Sequence, residues 1–397
     1  MKTQITGFGC VCSLGDSVPE ITQNLFKPVS KISFLDRFES SFAKEYPVFQ
    51  VSRNILSQKK ENESYSFLFL RTALNEALKT ASLEINDLKN VKVGVVIGTS
   101  VDVSFNCFDF YKEWRAGHNP PLEPLNKYIR YSPAKEILKH LNIDGISQTV
   151  VTACASGTDA IGIGAEWIEN FVCDVVIAGG TDELNLIPFT GFIKLMIASK
   201  ERSKPFDKNR NGINLGEGAG VFIMESSEFA GKRNAKKMGS VLGYGNTCDG
   251  HHQTSPEPSG KGITKAIETA LKQSGLKSDD IAFVNAHATG TLDNDSAESA
   301  ALNNALKGVP VTATKSKTGH TLGAAGAVEA CLTLICLNEQ KIPATENFTT
   351  ADEKLSLVPV SQDTAIPRAK AAISDSLGFG GCNAALVLGS REYKADE

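Results

Sequence analysis

The chain has 397 residues, of which 41% are hydrophobic and 22% charged, with a formal net charge of −4. That balance fits a large soluble globular enzyme and excludes a disordered segment or a polybasic nucleic-acid binder. Nine cysteines, an odd number scattered from Cys10 to Cys382 without framework spacing, suit a reducing compartment, so a cytoplasmic location is expected.

In chain order, Met1 to Gly9 reads as a first strand and turn, since its apolar run is broken by glycines and does not resemble a signal peptide. Lys92 to Ile97 and Thr149 to Val151 read as buried strands. Thr152-Ala153-Cys154-Ala155-Ser156-Gly157 then leads into a helix-like run of small and apolar residues from Thr158 to Val172. Cys154 therefore stands where a strand turns into a helix. The unpaired N–H groups and partial positive charge of a helix start stabilise a thiolate and hold the oxyanion formed when it attacks a thioester. Cys154 is thus the candidate nucleophile for acyl transfer.

Asp174 to Ile177 reads as another strand, and the Gly/Ser/Pro-rich stretch from Gly243 to Lys261 lies where a second half begins, with a boundary near residue 238. Ile281 to Asn285 reads as a strand leading into Ala286-His287-Ala288-Thr289-Gly290-Thr291. A second glycine-rich polar segment, Thr314-Lys315-Ser316-Lys317-Thr318-Gly319, ends on His320. Either histidine alone reads as a structural residue; together with a cysteine at a strand–helix elbow they read as a site. Leu322 to Leu337 is too short and too rich in glycine and alanine for a membrane span, and reads as a closely packed buried helix. Ala371 to Ser374 is a last buried strand, so the chain follows an α/β pattern. Cys10-Val11-Cys12 is too tight for a zinc pair, and the adjacent His251 and His252 point to opposite sides of an extended segment, so no metal is expected.

Further motifs stand in the same order: Ile5-Thr6-Gly7-Phe8-Gly9, Gly94-Val95-Val96-Ile97-Gly98-Thr99, Ala178-Gly179-Gly180-Thr181, Lys204-Pro205-Phe206-Asp207, Gly216-Glu217-Gly218-Ala219-Gly220 and Gly378-Phe379-Gly380-Gly381-Cys382-Asn383. With them the chain resembles, nearly end to end, the elongating β-ketoacyl-acyl carrier protein synthases, the Cys-His-His condensing enzymes of fatty acid and polyketide synthesis. The resemblance implies a thiolase-like fold, α/β, of two similar halves in α-β-α-β-α layers, residues 1–237 carrying the nucleophile and 238–397 the histidines, the lysine and a gating loop. It implies decarboxylative condensation of an acyl group on Cys154 with malonyl-acyl carrier protein. The substrates ride on the phosphopantetheine arm of acyl carrier protein, with no bound cofactor, no nucleic acid partner and no membrane span. A homodimer, or a heterodimer with a related subunit, is implied as well.

Residue by residue, the resemblance assigns Cys154, His287, His320 and Lys315 to catalysis, with Glu298, Glu329 and Asp295 in support. It pairs Lys315 with Glu298. Thr289 and Thr291 match the threonines that hydrogen-bond the pantetheine arm, and the N–H of Phe379 joins that of Cys154 in an oxyanion hole while its ring gates the acyl tunnel. The sequence departs from the family at Ala288, Cys382, Lys204 and Lys317, where Gly, Thr, Arg and Met are usual. Val101 to Pro133, with Phe105, Phe108, Phe110, Tyr111 and Trp114, follows the pattern poorly. The basic run Lys194, Lys200, Arg202, Lys204, Lys208 and Arg210 reads either as a solvated face or as a docking surface for an acidic carrier. Two rivals are a thiolase, for which Cys382 would be the second cysteine, and a non-catalytic chain-length partner subunit, which would typically lack the nucleophile.

Overall fold

The computed structural model describes residues 3–28, 32–61, 63–367 and 370–393. Five strands form the first sheet: β1 (Thr3–Val11), β2 (Val93–Gly98), β3 (Ile146–Val150), β4 (Val175–Asp182) and β5 (Gly218–Glu225). Their order in space is β3-β2-β4-β5-β1. The second sheet comprises β6 (Gly239–Cys248), β7 (Ile281–Asn285), β8 (Val311–Thr312), β11 (Ala371–Gly378) and β12 (Cys382–Ser390), in the order β8-β7-β11-β12-β6. A short ribbon of β9 (Lys341–Ile342) and β10 (Thr364–Ala365) lies apart from both. The two sheets join where Thr3, Gln4 and Ile5 pair with Val241, Ser240 and Gly239.

Strand directions repeat as well as strand order. In each half the first strand is antiparallel to the last, the last is antiparallel to the fourth, and the remaining pairings are parallel. This duplication leaves no readable trace in residue identity, because packing in a sheet demands only apolar residues of suitable shape.

Helices sandwich the sheets. The helix Tyr65–Ala81 packs on β1 and β5, and Lys261–Ser274 packs on β6 and β12. Between the sheets lie Ser156–Glu169 and Ala325–Glu339, which pack on each other. Together with the turn before it the second forms an apolar stretch, Leu322–Glu339, long enough on composition to cross a membrane, yet it is almost wholly buried in the protein interior. Close approach of the two central helices requires glycine: a Cβ at Gly157 would stand 2.7 Å from the Ala327 nitrogen.

Two sequence expectations change and one is refined. The helix begun at the elbow stops at Glu169 rather than Val172, since Phe171 turns into the left-handed region. The glycine-rich stretch from Gly243 begins inside β6, the first strand of the second sheet, where its glycines admit the helix Lys261–Ser274. The run at Thr149 is not a buried strand: β3 is the open edge of its sheet, with Ile146 and Val151 exposed.

Candidate active site

Each half delivers its reactive residue in the same way. After β3 the chain makes a tight turn, Ala153–Ala155, and enters Ser156–Glu169; after β8 it reaches the turn Leu322–Ala324 and enters Ala325–Glu339. Both turns contain a non-glycine residue in the left-handed region, Ala153 at φ +50° and Leu322 at φ +56°. Such a residue costs about 1–2 kcal/mol, and the packing of the two turns against each other holds it in place. Cys154 lies in the first turn, and His320 just before the second.

Cys154 Sγ and His320 Nε2 are 3.0 Å apart. The rings of His287 and His320 meet edge to face, with centroids 5.3 Å apart. Lys315 Nζ lies 2.9 Å from His287 Nδ1, and the Leu322 N–H donates to His320 Nδ1 over 3.2 Å. An ammonium and an amide can only donate here, so both Nδ1 atoms accept and both neutral rings carry their proton on Nε2. Burial, together with the positive charge of Lys315, pushes both imidazole pKa values well below the ordinary range, so the rings stay neutral.

The sulfur and the two imidazoles lie close enough to suggest a metal site. A metal bound at Nε2 would need the proton on Nδ1, where each ring already faces a donor. The set is arranged to donate hydrogen bonds rather than to ligate.

Burial dominates the Cys154 thiol, pushing its pKa up to about 11 against the opposing pull of Lys315 and the Phe379 N–H. The helix start by itself favours a thiolate, but the site is too dry to hold the free anion and the group stays a thiol. A raised pKa keeps the thiolate fraction small and growing with pH. Alkylation of Cys154 by iodoacetamide should therefore accelerate without a plateau through about pH 9, and peptide mapping of the labelled cysteine across pH checks this.

Lys315 does not pair with Glu298. Its ion-pair partner is Glu329, also fully buried, whose carboxyl burial pushes up to about 7. Glu298 instead accepts from the Ala288 N–H at 2.8 Å and from Asn294 at 3.1 Å, and lies close enough to Asp375 for each carboxyl to influence the other. Burial raises Glu298 well above the carboxylate range, so this buried acid pair retains a proton. Asp295 accepts from the Phe206 N–H at 2.7 Å and the Gly290 N–H at 3.1 Å, tying the His287 loop to the Lys204-Pro205-Phe206-Asp207 segment.

Thr289 and Thr291 line a cavity of about 390 Å³ that reaches Cys154, His287, His320 and Phe379, and their hydroxyls lie 2.8 Å apart. The Phe379 ring stacks on Phe192 at 5.5 Å, and Phe192 also meets His320 edge-on.

Sequence reading missed three contributors. Asp375 accepts from the His287 N–H at 3.1 Å, Phe192 stacks on Phe379, and Asp182 gathers the N–H groups of Ser100, Val101, Asp102 and Gly323 beneath the elbow. A signal existed for Asp182, an acid ending a wholly buried strand; Phe192 carried none.

The departures find physical accounts. Ala288 adopts φ +38°, where glycine would be unstrained. Lys317 is buried but paired with Glu346 at 3.1 Å. The basic run is no single solvated face: Lys200 pairs with Glu45, Lys204 with Glu201, and buried Arg210 with Asp352. Tyr111 and Trp114 pack on each other while exposed on a helix, Phe108–Arg115, that buries nothing; the Phe105 side chain lies outside the described residues.

Comparison with known proteins agrees with this geometry. The N-terminal domain of β-ketoacyl synthases matches residues 2–230, and their C-terminal domain matches residues 238–349. A 3-oxoacyl-[acyl-carrier-protein] synthase 2 from Synechocystis is 33% identical over 98% of this chain and 97% of its own. The ishigamide ketosynthase/chain length factor superposes with TM-score 0.89 at 30% identity, covering 98% of this chain and 99% of the other. A type II polyketide ketosynthase solved with its acyl-carrier protein gives TM-score 0.88 at 26% identity, covering 98% and 99%. The complete cysteine and histidine set does not favour a non-catalytic chain-length subunit, and both domain matches set the thiolase reading aside. The chain belongs to the β-ketoacyl synthase family and is a condensing acyltransferase of fatty acid or polyketide synthesis.

Proposed function

We propose that this chain elongates acyl groups carried on acyl carrier protein, with Cys154 as nucleophile and His287 and His320 as paired hydrogen-bond donors. The observation that carries the reading is one buried thiol beside two neutral imidazoles, both bearing their proton on Nε2. Cys154 takes the acyl group from its carrier thioester, and the thiol proton leaves with the displaced pantetheine sulfur. Malonyl-carrier protein follows. As its carbon–carboxylate bond breaks, carbon dioxide departs and the electron pair moves onto the thioester oxygen, where the two Nε2–H groups donate. Each donor contributes about 3–4 kcal/mol to that step, by analogy with other oxyanion holes.

The enolate carbon then attacks the thioester on Cys154. The N–H groups of Cys154 and Phe379 hold the resulting oxyanion, and collapse expels the Cys154 sulfur, which regains a proton. Lys315, held by Glu329, fixes the His287 tautomer; Glu298 and Asp295 brace the loop that carries it. Thr289 and Thr291 flank the pantetheine arm, and no bound cofactor enters. The repeated strand order supports a division into residues 1–237 and 238–397. The free thiols support a cytoplasmic location.

Mass spectrometry tests the reading. Incubation with acyl-carrier protein should place the acyl group on Cys154, and adding malonyl-carrier protein should remove it and yield the β-ketoacyl carrier. An acyl group mapped mainly to Cys382 would overturn the assignment.

A second copy of the chain is the partner proposed at the open edge of β3. An exposed edge strand flanked by Ile146 and Val151, with Tyr128 and Ile129 also exposed, is a surface that soluble proteins cover. Replacing both Ile146 and Val151 with Asp should convert a dimer into a monomer in sedimentation. A wild-type protein that sediments as a monomer would reject a homodimer and leave a related subunit as the covering chain.

A further inference from the structure

Cys382 has no part in the proposed mechanism, and its thiol is free. Its cross-strand neighbour in the β6–β12 ladder is another cysteine, Cys248. The Asp249 N–H donates to the Gly381 carbonyl over 2.9 Å, which places the ladder's hydrogen bonds on residues 249 and 381. Cys248 and Cys382 are therefore the next, non-hydrogen-bonded pair, in which facing Cα atoms stand about 4.5 Å apart and both side chains leave the same face. That spacing lies at the short end of the range a disulfide spans. Cys248 is exposed and Cys382 half-buried, so a small oxidant reaches the pair.

The pair sits at the base of the Phe379 loop. Cys248 Sγ contacts the Gly380 carbonyl at 3.6 Å, and Cys382 directly follows Gly380 and Gly381. These two glycines, at φ +81° and +77°, hold backbone that other residues take only under strain, and would serve as the hinge if Phe379 swings. Asn383 Nδ2 donates to Asp249 Oδ1 at 2.7 Å, and the Gly380 N–H donates to Gln253 at 2.8 Å, so the hinge is already tied across the strand end.

We propose that Cys248 and Cys382 form a reversible disulfide that pins the gate loop and switches condensation off under oxidising conditions. With a low-molecular-weight disulfide as oxidant, the Cys248 thiolate attacks one of its sulfurs and expels one thiol. Cys382 then attacks the mixed disulfide and expels the second. Two protein thiols become one disulfide and one small disulfide becomes two thiols, so electrons and protons balance. A cross-strand bond this exposed is readily reduced, which suits a switch in a reducing compartment.

The switching half rests on Phe379 acting as the gate; the bond itself does not. Treatment with oxidised glutathione should lower the intact mass by about 2 Da and give a peptide linking Cys248 to Cys382, absent from Cys248→Ser and Cys382→Ser. Oxidised wild type should lose condensation by about tenfold or more, show slowed amide exchange over Gly378–Gly381, and recover with dithiothreitol. Both serine variants should keep their rate under the same treatment. Glutathione left on Cys248, or a link to any other cysteine, overturns the site. A mapped Cys248–Cys382 link with unchanged rate and exchange overturns the switch while leaving the condensation reading intact.

Discussion

Replacing Cys154 with Gln abolishes condensation while release of carbon dioxide from malonyl-carrier protein continues. In the proposed mechanism the sulfur carries the acyl group, so its loss removes chain transfer. Both imidazole donors remain, because their tautomers are set by Lys315 and the Leu322 N–H, which bond to the Nδ1 atoms. The Gln amide occupies the place of the thiol 3.0 Å from His320 Nε2. His287→Ala gives the converse result: Cys154 accepts an acyl group, but decarboxylation falls by about 10²–10³-fold, the effect of losing one oxyanion donor. Labelled carbon dioxide and intact-mass acylation measured on both variants check the division. Complete loss of decarboxylation in folded Cys154→Gln, or normal condensation by His287→Ala, would refute it.

Breaking the buried Lys315–Glu329 pair has the next largest effect. Both side chains are about 2% exposed, and removing one partner of such a pair costs about 3–5 kcal/mol because the other charge is left in a dry interior. Glu329→Gln should therefore lower stability and decarboxylation together. Lys315→Met also withdraws the donor facing His287 Nδ1, so the proton can move to that nitrogen and Nε2 ceases to donate. Nitrogen-15 chemical shifts of His287 report the tautomer directly. Glu298→Gln keeps an acceptor for the Ala288 N–H and should leave those shifts unchanged; a tautomer change in Glu298→Gln but not in Lys315→Met would restore the Lys315–Glu298 pairing.

That pairing shows where sequence reading ends. Cys154, His287 and His320 were legible because each lies in a short glycine-bearing segment whose local chemistry is unusual, and Lys315 was legible through the family resemblance. Glu298 lies eleven residues beyond His287 and Glu329 nine beyond His320; which of them reaches Lys315 depends on how two helices cross, and no local pattern encodes that. The α/β alternation was visible in the apolar runs, but the exposed edge of β3 was not. Edge and centre differ in what lies beside the strand, and Thr149-Val150-Val151 reads the same in either place. The thiol's ionisation was not legible for a related reason: the strand–helix elbow is a sequence feature, whereas the dryness that opposes it comes from elements far along the chain.

The matched turns before the two central helices carry a further consequence. Ser156–Glu169 and Ala325–Glu339 both begin at the reaction centre, one from each repeat. Each helix start carries about half a positive charge. In the proposed mechanism two such fields converge where a sulfur anion, an enolate and a tetrahedral oxyanion arise in succession. Backbone dipoles are fixed by the fold and cannot be removed by exchanging a side chain. A single substitution can therefore take away the thiol or one donor, but the polarisation that favours negative charge at this point persists until the two repeats separate, and activity should vanish with their undocking before either repeat unfolds.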